Sequence, residues 1–211
     1  MIFDLDGTLL DTLGDLHAAV NYALSAFGFP ERSIDEVRRF IGNGVVKLMQ
    51  RATPENTDEE TDGKCLEAFR EYYLIHMRDM TAPYEGVNSL IEKLRAKGIK
   101  TAVVSNKLHE AVCELCEDYF PGLIDEAIGV SVESERKPSP VNVYKALLKM
   151  GVTADECIYI GDSEVDVQTS HNAGVKCIGV TWGFRDREEL IEAGAEIIAD
   201  SCDDILDVIS K

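Results

Sequence analysis

Two rhythms of hydrophobic spacing divide the chain. Between residues 13 and 82 the apolar positions follow the helical period, with Leu13, Leu16, Val20, Leu24 and Phe27 on one stripe. Ser33-Ile-Asp-Glu36 has the form of a capping box ahead of Val37, Phe40 and Ile41. Thr57-Asp-Glu-Glu60 repeats that signal ahead of Leu66, Phe69, Tyr73 and Met77. Nothing in this stretch alternates with period two, so it predicts a small helical bundle. Elsewhere the apolar residues come in short runs, at 1–3, Thr101-Ala-Val-Val-Ser105, 127–130, Cys157-Ile-Tyr-Ile160, Cys177-Ile-Gly-Val180 and Glu196-Ile-Ile-Ala199. Helical stripes lie between these runs. One is Val87, Leu90, Ile91 and Leu94, ended by Gly98. A second covers 108–119. A third, Val143, Ala146, Leu147 and Met150, is ended by Gly151, and two more are ended by Gly174 and Gly194. Strands alternating with helices predict right-handed crossovers and a parallel sheet covered on both faces. The expected fold is therefore α/β, with a core of residues 1–12 and 83–211 and a helical domain, 13–82, inserted after the first strand.

Composition narrows the function. The 211 residues are 45% hydrophobic and 28% charged, enough apolar material for an ordinary core. Lys and Arg number 21 against 39 Asp and Glu, a formal charge of −18. Such a surface repels phosphate backbones and anionic lipid, so nucleic acid and membrane are not expected partners. It also repels a small anionic substrate, unless a bound cation or a local basic group reverses the field at the site. No run approaches the roughly 20 apolar residues that span a bilayer. Met1-Ile2-Phe3-Asp4 lacks the basic and apolar segments of a signal peptide. Of the six cysteines, Cys113 and Cys116 form a CxxC, but within one helical turn and with no second pair. They read as buried or idle thiols of a reduced, cytoplasmic protein, monomeric or homodimeric.

In open parallel sheets the ligand crevice lies beyond the carboxyl ends of the strands. Those positions hold Asp4 and Asp6 after the first strand, and Ser105-Asn106-Lys107 after the second in the core. Gly161-Asp162 and Asp166 follow the strand at 157–160, and Lys137-Pro138 begins the helix before it. Each piece alone is bland: Asp-x-Asp-Gly is a common turn, Ser-Asn a common helix cap, and Asp166 an ordinary helix residue. Together, each just past a strand, they bring four carboxylates into one cleft beside a lysine and a small hydroxyl. That cluster repels itself unless a divalent cation sits within it. Carboxylate oxygens without His or Cys suit a hard ion such as Mg²⁺, completed by water and a phosphate.

Phe3-Asp-Leu-Asp-Gly-Thr-Leu-Leu-Asp-Thr12, Ser105-Asn-Lys107, Lys137-Pro-Ser-Pro140 and Gly161-Asp-Ser-Glu-Val-Asp166 resemble, in order, the four motifs of the haloacid dehalogenase superfamily. The resemblance covers essentially the whole chain. It implies a Rossmann-like core with the helical insertion as its cap domain. Asn106-Lys107 after Ser105, Ile41-Gly-Asn-Gly44 in the insertion and Val180-Thr-Trp-Gly-Phe184 are similar to the phosphoglycolate phosphatase-like branch. The resemblance implies a Mg²⁺-dependent phosphatase acting on a small phosphate monoester such as 2-phosphoglycolate through an aspartyl-phosphate. Asp4 would be the nucleophile and Asp6 the acid and base. Asp4, the Asp6 carbonyl and Asp162 would hold Mg²⁺, supported by Asp166. Ser105, the Asn106 amide and Lys137 would hold phosphoryl oxygens. Thr8 would set the first loop, and Asn43, Gly44 and Lys47 would meet the substrate from the cap. Thr12 and Thr81-Ala-Pro83 would be hinges. Strand one offers three residues before Asp4, fewer than the resemblance leads one to expect, which puts core stability in question.

Rival readings share this core. A pyrophosphatase or a broad sugar-phosphate phosphatase differs only in cap residues. A β-phosphoglucomutase-like mutase tends to carry Val where Thr8 stands. Gly44-Val-Val-Lys47 resembles the Schiff-base lysine region of phosphonoacetaldehyde hydrolases, which usually lack the second Asp that Asp6 supplies. A phospho-aspartate signalling switch would hold its phosphate rather than release it. Such receivers have no helical insertion and no carboxylate two residues past the acceptor.

Overall fold

A computed structural model describes residues 1–209. The chain divides into two compact units, residues 1–10 with 83–211 and residues 11–82. In the larger unit six strands form one sheet: β1 (Ile2–Phe3), β4 (Ala102–Leu108), β5 (Glu126–Val130), β6 (Ile158–Gly161), β7 (Lys176–Val180) and β8 (Ile197–Ala199). Their order is β5-β4-β1-β6-β7-β8, and every pairing is parallel. The helices between them are α5 (Val87–Ala96), α6 (His109–Tyr119), α7 (Val141–Met150), α8 (Glu164–Ala173), α9 (Arg187–Ala193) and α10 (Cys202–Ile209). From β1 the sheet grows outward to β4 and β5. The chain then returns across to β6 and grows the other way to β7 and β8. That reversal beside β1 is the topological switch point, where the loops on two sides of a strand part and leave a crevice.

β1 is the shortest strand of this sheet and lies near its centre. Ile2 faces Ala102 on one side and Tyr159 on the other, while Phe3 faces Val103 and Ile160. The ladder continues at both ends: the Ala102 amide donates to the Met1 carbonyl, and the Asp4 amide to the Ile160 carbonyl. Both β1 side chains are fully buried, worth about 1.5–3 kcal/mol each relative to exposure. Around Ile2, α7 supplies Val143, Ala146, Leu147 and Met150 to a cluster with Ala102, Val104, Ile128 and Tyr159.

The smaller unit is helical: α1 (Leu13–Ala26), α2 (Ile34–Phe40), α3 (Val45–Ala52) and α4 (Glu59–His76). Leu16, Val20 and Leu24 of α1 and Cys65, Phe69 and Tyr73 of α4 are buried, and the Phe69 and Tyr73 rings stack at 5.5 Å. The Asp15 carboxylate, also buried, accepts the amides of Met80 and Thr81 and the Thr81 hydroxyl at 2.7–2.9 Å. It ties the first turn of α1 to the end of the unit. Where the chain passes between units, β2 (Leu10–Asp11) and β3 (Ala82–Pro83) pair as a two-stranded ribbon. Among the described residues no helix is long and apolar enough to cross a membrane.

Three local expectations need correction. The Ser33–Glu36 capping box is present, but α4 is capped by Asp58, which accepts from the Thr61 amide, while the Thr57 hydroxyl turns back to Pro54. The carboxylate is the better acceptor for an orphan amide, and it displaces the expected cap by one residue. Lys137 does not begin a helix: it stands in the loop between the 3₁₀ turn Glu133–Glu135 and α7. The strand predicted to stop at Ser105 runs on to Leu108 through an irregular segment.

Candidate active site

Four elements deliver charged side chains to the carboxyl ends of β1, β4 and β6. Asp4 follows β1 directly, and its Oδ1 accepts from the next amide, Leu5, at 2.7 Å. Asp162 follows β6. Its two oxygens are held by the Thr8 hydroxyl at 3.0 Å and the Phe184 amide at 2.8 Å. Asp166 lies in the first turn of α8, where its Oδ2 accepts the Ser163 amide at 3.1 Å and the Ser163 hydroxyl at 2.6 Å. A first-turn carboxylate is favoured there by the helix dipole and by the unpaired amides. One oxygen from each of Asp4, Asp162 and Asp166 lies within 4.8 Å of the others, and all three residues are buried.

Lys137 closes this triad. Its Nζ is 2.9 Å from Asp4 and 2.7 Å from Asp166, and its side chain is only 3% exposed. The Tyr159 hydroxyl stands 3.3 Å from the same nitrogen, 3.2 Å from Asp166 Oδ1 and 3.1 Å from the Val104 carbonyl, so its single proton serves one of two acceptors. Asn106 clamps the lysine from behind: its Oδ1 accepts the Lys137 amide at 2.7 Å, and its Nδ2 donates to the Lys137 carbonyl at 3.3 Å. Ser105 is buried, and its Oγ accepts the Lys107 amide at 3.4 Å.

The Asp6 side chain is not one of the three that gather their oxygens within 4.8 Å, though its charge still acts on Asp4. Its Oδ1 is held at 2.8 Å by Lys107, a lysine 5% exposed. A buried ammonium needs a partner, and Asp6 is within its reach.

The electrostatics follow from the packing. Burial, reinforced by the charge of Asp166, pushes the Asp4 carboxyl up to about 7, against the pull of Lys137. Asp162 is pushed well above the ordinary carboxylate range, first by burial and then by Asp166 and Asp4. Burial pulls the Lys137 ammonium down, but Asp166 and Asp4 outweigh it and hold the lysine well above its usual value. Four carboxylates thus face two ammonium groups, a difference that a divalent cation would balance. The donor set is all oxygen, and burial, reinforced by neighbouring carboxylates, raises the Asp4 and Asp162 carboxyls, so the residues fit a hard divalent ion. Glycines let the backbone pack closely around Asp162. Gly7 has φ +85°, and a Cβ there would lie 2.3 Å from Asp162 Oδ2. A Cβ at Gly183 would lie 2.3 Å from the Gly7 carbonyl oxygen.

The predicted substrate residues Asn43, Gly44 and Lys47 belong to the helical unit. Gly44 caps α3 with φ 79°, and Lys47 donates to Gln50 at 3.0 Å. The Arg51 guanidinium donates to the Phe40 carbonyl at 2.8 Å and to Asn43 Oδ1 at 2.7 Å, so it braces the loop that carries Asn43. Sequence reasoning missed Arg51, Lys107, Tyr159 and Ser163. Tyr159 read as an ordinary strand residue and gave no signal. Lys107 stood in the quoted motif without a role. Trp182-Gly-Phe184 carries only a family resemblance in the sequence, yet Trp182 Nε1 donates to the Thr8 carbonyl at 3.0 Å, and the Phe184 amide donates to Asp162.

Known proteins resemble this chain along most of its length. The haloacid dehalogenase-like hydrolase family model matches residues 1–180. A phosphoglycolate phosphatase of Vibrio parahaemolyticus is 32% identical over 99% of this chain and 94% of its own. One from Aquifex aeolicus is 34% identical over 87% and 85%. A crystal structure from Lactobacillus delbrueckii subsp. bulgaricus superposes with TM-score 0.94 at 37% identity, covering 99% of this chain and 96% of that one. That of a predicted phosphoglycolate phosphatase from Haemophilus somnus gives 0.91 at 30%, with the same coverage. The chain belongs to the haloacid dehalogenase-like hydrolases, and among them it is an enzyme of the phosphoglycolate phosphatase-like branch.

Proposed function

We propose that the protein is a Mg²⁺-dependent phosphatase that hydrolyses 2-phosphoglycolate through an aspartyl-phosphate on Asp4. The observation that carries this reading is the buried triad Asp4, Asp162 and Asp166, closed by Lys137, at the switch point of a parallel sheet. An Asp4 oxygen attacks phosphorus in line, and the bond to the leaving alkoxide breaks as Asp6 gives it a proton. Asp6 then takes a proton from water, whose oxygen displaces Asp4 and releases phosphate. Ser105, the Asn106 amide and Lys137 hold phosphoryl oxygens, and the lysine offsets charge as it builds. Asp4, the Asp6 carbonyl and Asp162 would hold Mg²⁺, while Asp166 keeps Lys137 and Ser163 in place. When bound, the ion neutralises phosphoryl charge and screens the anionic nucleophile from an anionic substrate.

The helical unit chooses the substrate in this reading. Amides at the start of α3, with Asn43, Gly44 and Lys47, suit the carboxylate that 2-phosphoglycolate carries beyond its phosphate. Phosphate release from 2-phosphoglycolate, pyrophosphate, sugar phosphates and nucleotides, with Mg²⁺ and with chelator, tests the proposal. The expected result is metal-dependent turnover with kcat/KM for 2-phosphoglycolate at least about tenfold above the rest, some 1.4 kcal/mol of selectivity. Equal turnover across the panel would overturn the substrate, and undiminished turnover in chelator would overturn the metal.

A further inference from the structure

Lys107 is the charged residue of the site left without a role by the reaction as written. It sits on a bulge. Between the pairs Val104–Ile128 and Leu108–Val130, β4 has three residues, Ser105, Asn106 and Lys107, where β5 has Gly129 alone. A bulge of this kind turns side chains out of the ladder and aims them. Here it carries Ser105, Asn106 and Lys107 at the mouth of the sheet. The backbone of the bulge is fixed from the β5 side, since a Cβ at Gly129 would lie 2.6 Å from the Lys107 carbonyl oxygen. From that anchored position the buried side chain reaches the loop after β1 and ends 2.8 Å from Asp6 Oδ1.

Asp6 has a demanding task in the proposed reaction. It must present an oxygen to the leaving group and later to water, both times at the same place relative to Asp4. The charges of Asp4, Asp162 and Asp166 push a fourth carboxylate away from that place. An Asp side chain has only two torsions, and a fixed ammonium on one oxygen removes most of their freedom. We propose that Lys107 is a positioning residue for Asp6, gripping Oδ1 and leaving Oδ2 to carry the proton in both steps. This inference rests on the acid–base role of Asp6 given above.

The test uses p-nitrophenyl phosphate, whose leaving group departs without a proton, so the first step is nearly independent of Asp6 while the hydrolysis of the aspartyl-phosphate still needs it. With Lys107→Met and Mg²⁺ present, rapid mixing should show a burst of about one p-nitrophenolate per site. Turnover after it should be at least about 30-fold slower than wild type, since misplacing a catalytic group can cost up to about 100-fold. Lys107→Arg should restore most of the rate. In an Asp6→Asn background, Lys107→Met should cost less than about threefold more, because the two residues act as one unit. The Mg²⁺ titration followed by Trp182 fluorescence should keep its midpoint within about threefold, as expected of a residue that does not touch the ion.

A slow Lys107→Met enzyme with no burst, independent losses in the double variant, or a displaced Mg²⁺ midpoint would each overturn the positioning role. If Lys107→Met does not fold, the same criteria apply to Lys107→Gln. Full activity of Asp6→Asn would instead overturn the acid–base reading beneath it. A disabled Asp6→Asn beside a normal Lys107→Met would overturn this inference alone.

Discussion

Asp4 is the residue on which the site's electrostatics converge. Its carboxyl titrates near 3.8 in an unfolded chain and is pushed up to about 7 in the folded one, by burial and then by Asp166. The native state therefore binds more protons than the unfolded state between those values, and stability falls as pH rises through that window. Asp4→Asn removes the group. In chelator, its stability relative to wild type should climb from pH 4 to pH 7 and level off above, as read from urea midpoints. A difference independent of pH would contradict the strain assigned to Asp4. Added Mg²⁺ should raise the wild-type midpoint more at high pH than at low, because binding requires the ionised carboxylate. Lys137 cannot be treated in the same way. It is held between two carboxylates, and removing it would leave both buried without that counter-charge, so loss of activity there would be mixed with loss of fold.

Elements explain why parts of the site were legible and others were not. The strand-then-acid pattern at Asp4, Asp162 and Asp166 shows in sequence because each carboxylate lies within a few residues of a short apolar run. The sheet then brings distant turns together by topology alone. The partner of the Asp6 side chain, Lys107, was not legible because it comes from a β4 bulge, and a bulge changes which way a residue points without changing composition. Asn106 was assigned by its backbone amide, while its side chain proves to clamp Lys137 from across a loop. The cap of α4 moved from Thr57 to Asp58 because two adjacent residues could each cap, and only the three-dimensional turn decides between them. Arg51 carries a similar hidden role. Its guanidinium joins the end of α2 to the loop before α3, a link no sequence spacing announces. If that loop receives the substrate carboxylate, Arg51→Ala should raise KM for 2-phosphoglycolate about three- to tenfold and leave kcat within about threefold, the pattern of lost uniform binding. A fall in kcat at constant KM, measured in the same assays, would place Arg51 elsewhere in the reaction.

The molecule as a whole sets two conditions on any function. Its formal charge of −18 opposes the approach of an anion, so a phosphatase built on this surface needs strong local reversal of the field. Lys107, Lys137 and a divalent ion together provide that reversal in the proposed reaction. Division into an α/β unit and a helical unit places Asp4, Asp6, Asp162, Asp166, Lys107 and Lys137 in the first, and Asn43, Gly44, Lys47 and Arg51, the residues proposed to choose the substrate, in the second. The change of hydrophobic period places the helical part at 13–82, and the compact helical unit runs from Asp11 to Ala82. The central claim, that Asp4 accepts the phosphoryl group, is open to direct chemical trapping. Asp6→Asn should be mixed with p-nitrophenyl phosphate and Mg²⁺, quenched in acid and digested, and its peptides weighed. The account predicts a phosphoryl group on the peptide beginning at Met1, located at Asp4 and missing when chelator replaces Mg²⁺. A phosphorylated residue other than Asp4, or continued phosphate release with Asp4 never labelled, would contradict it.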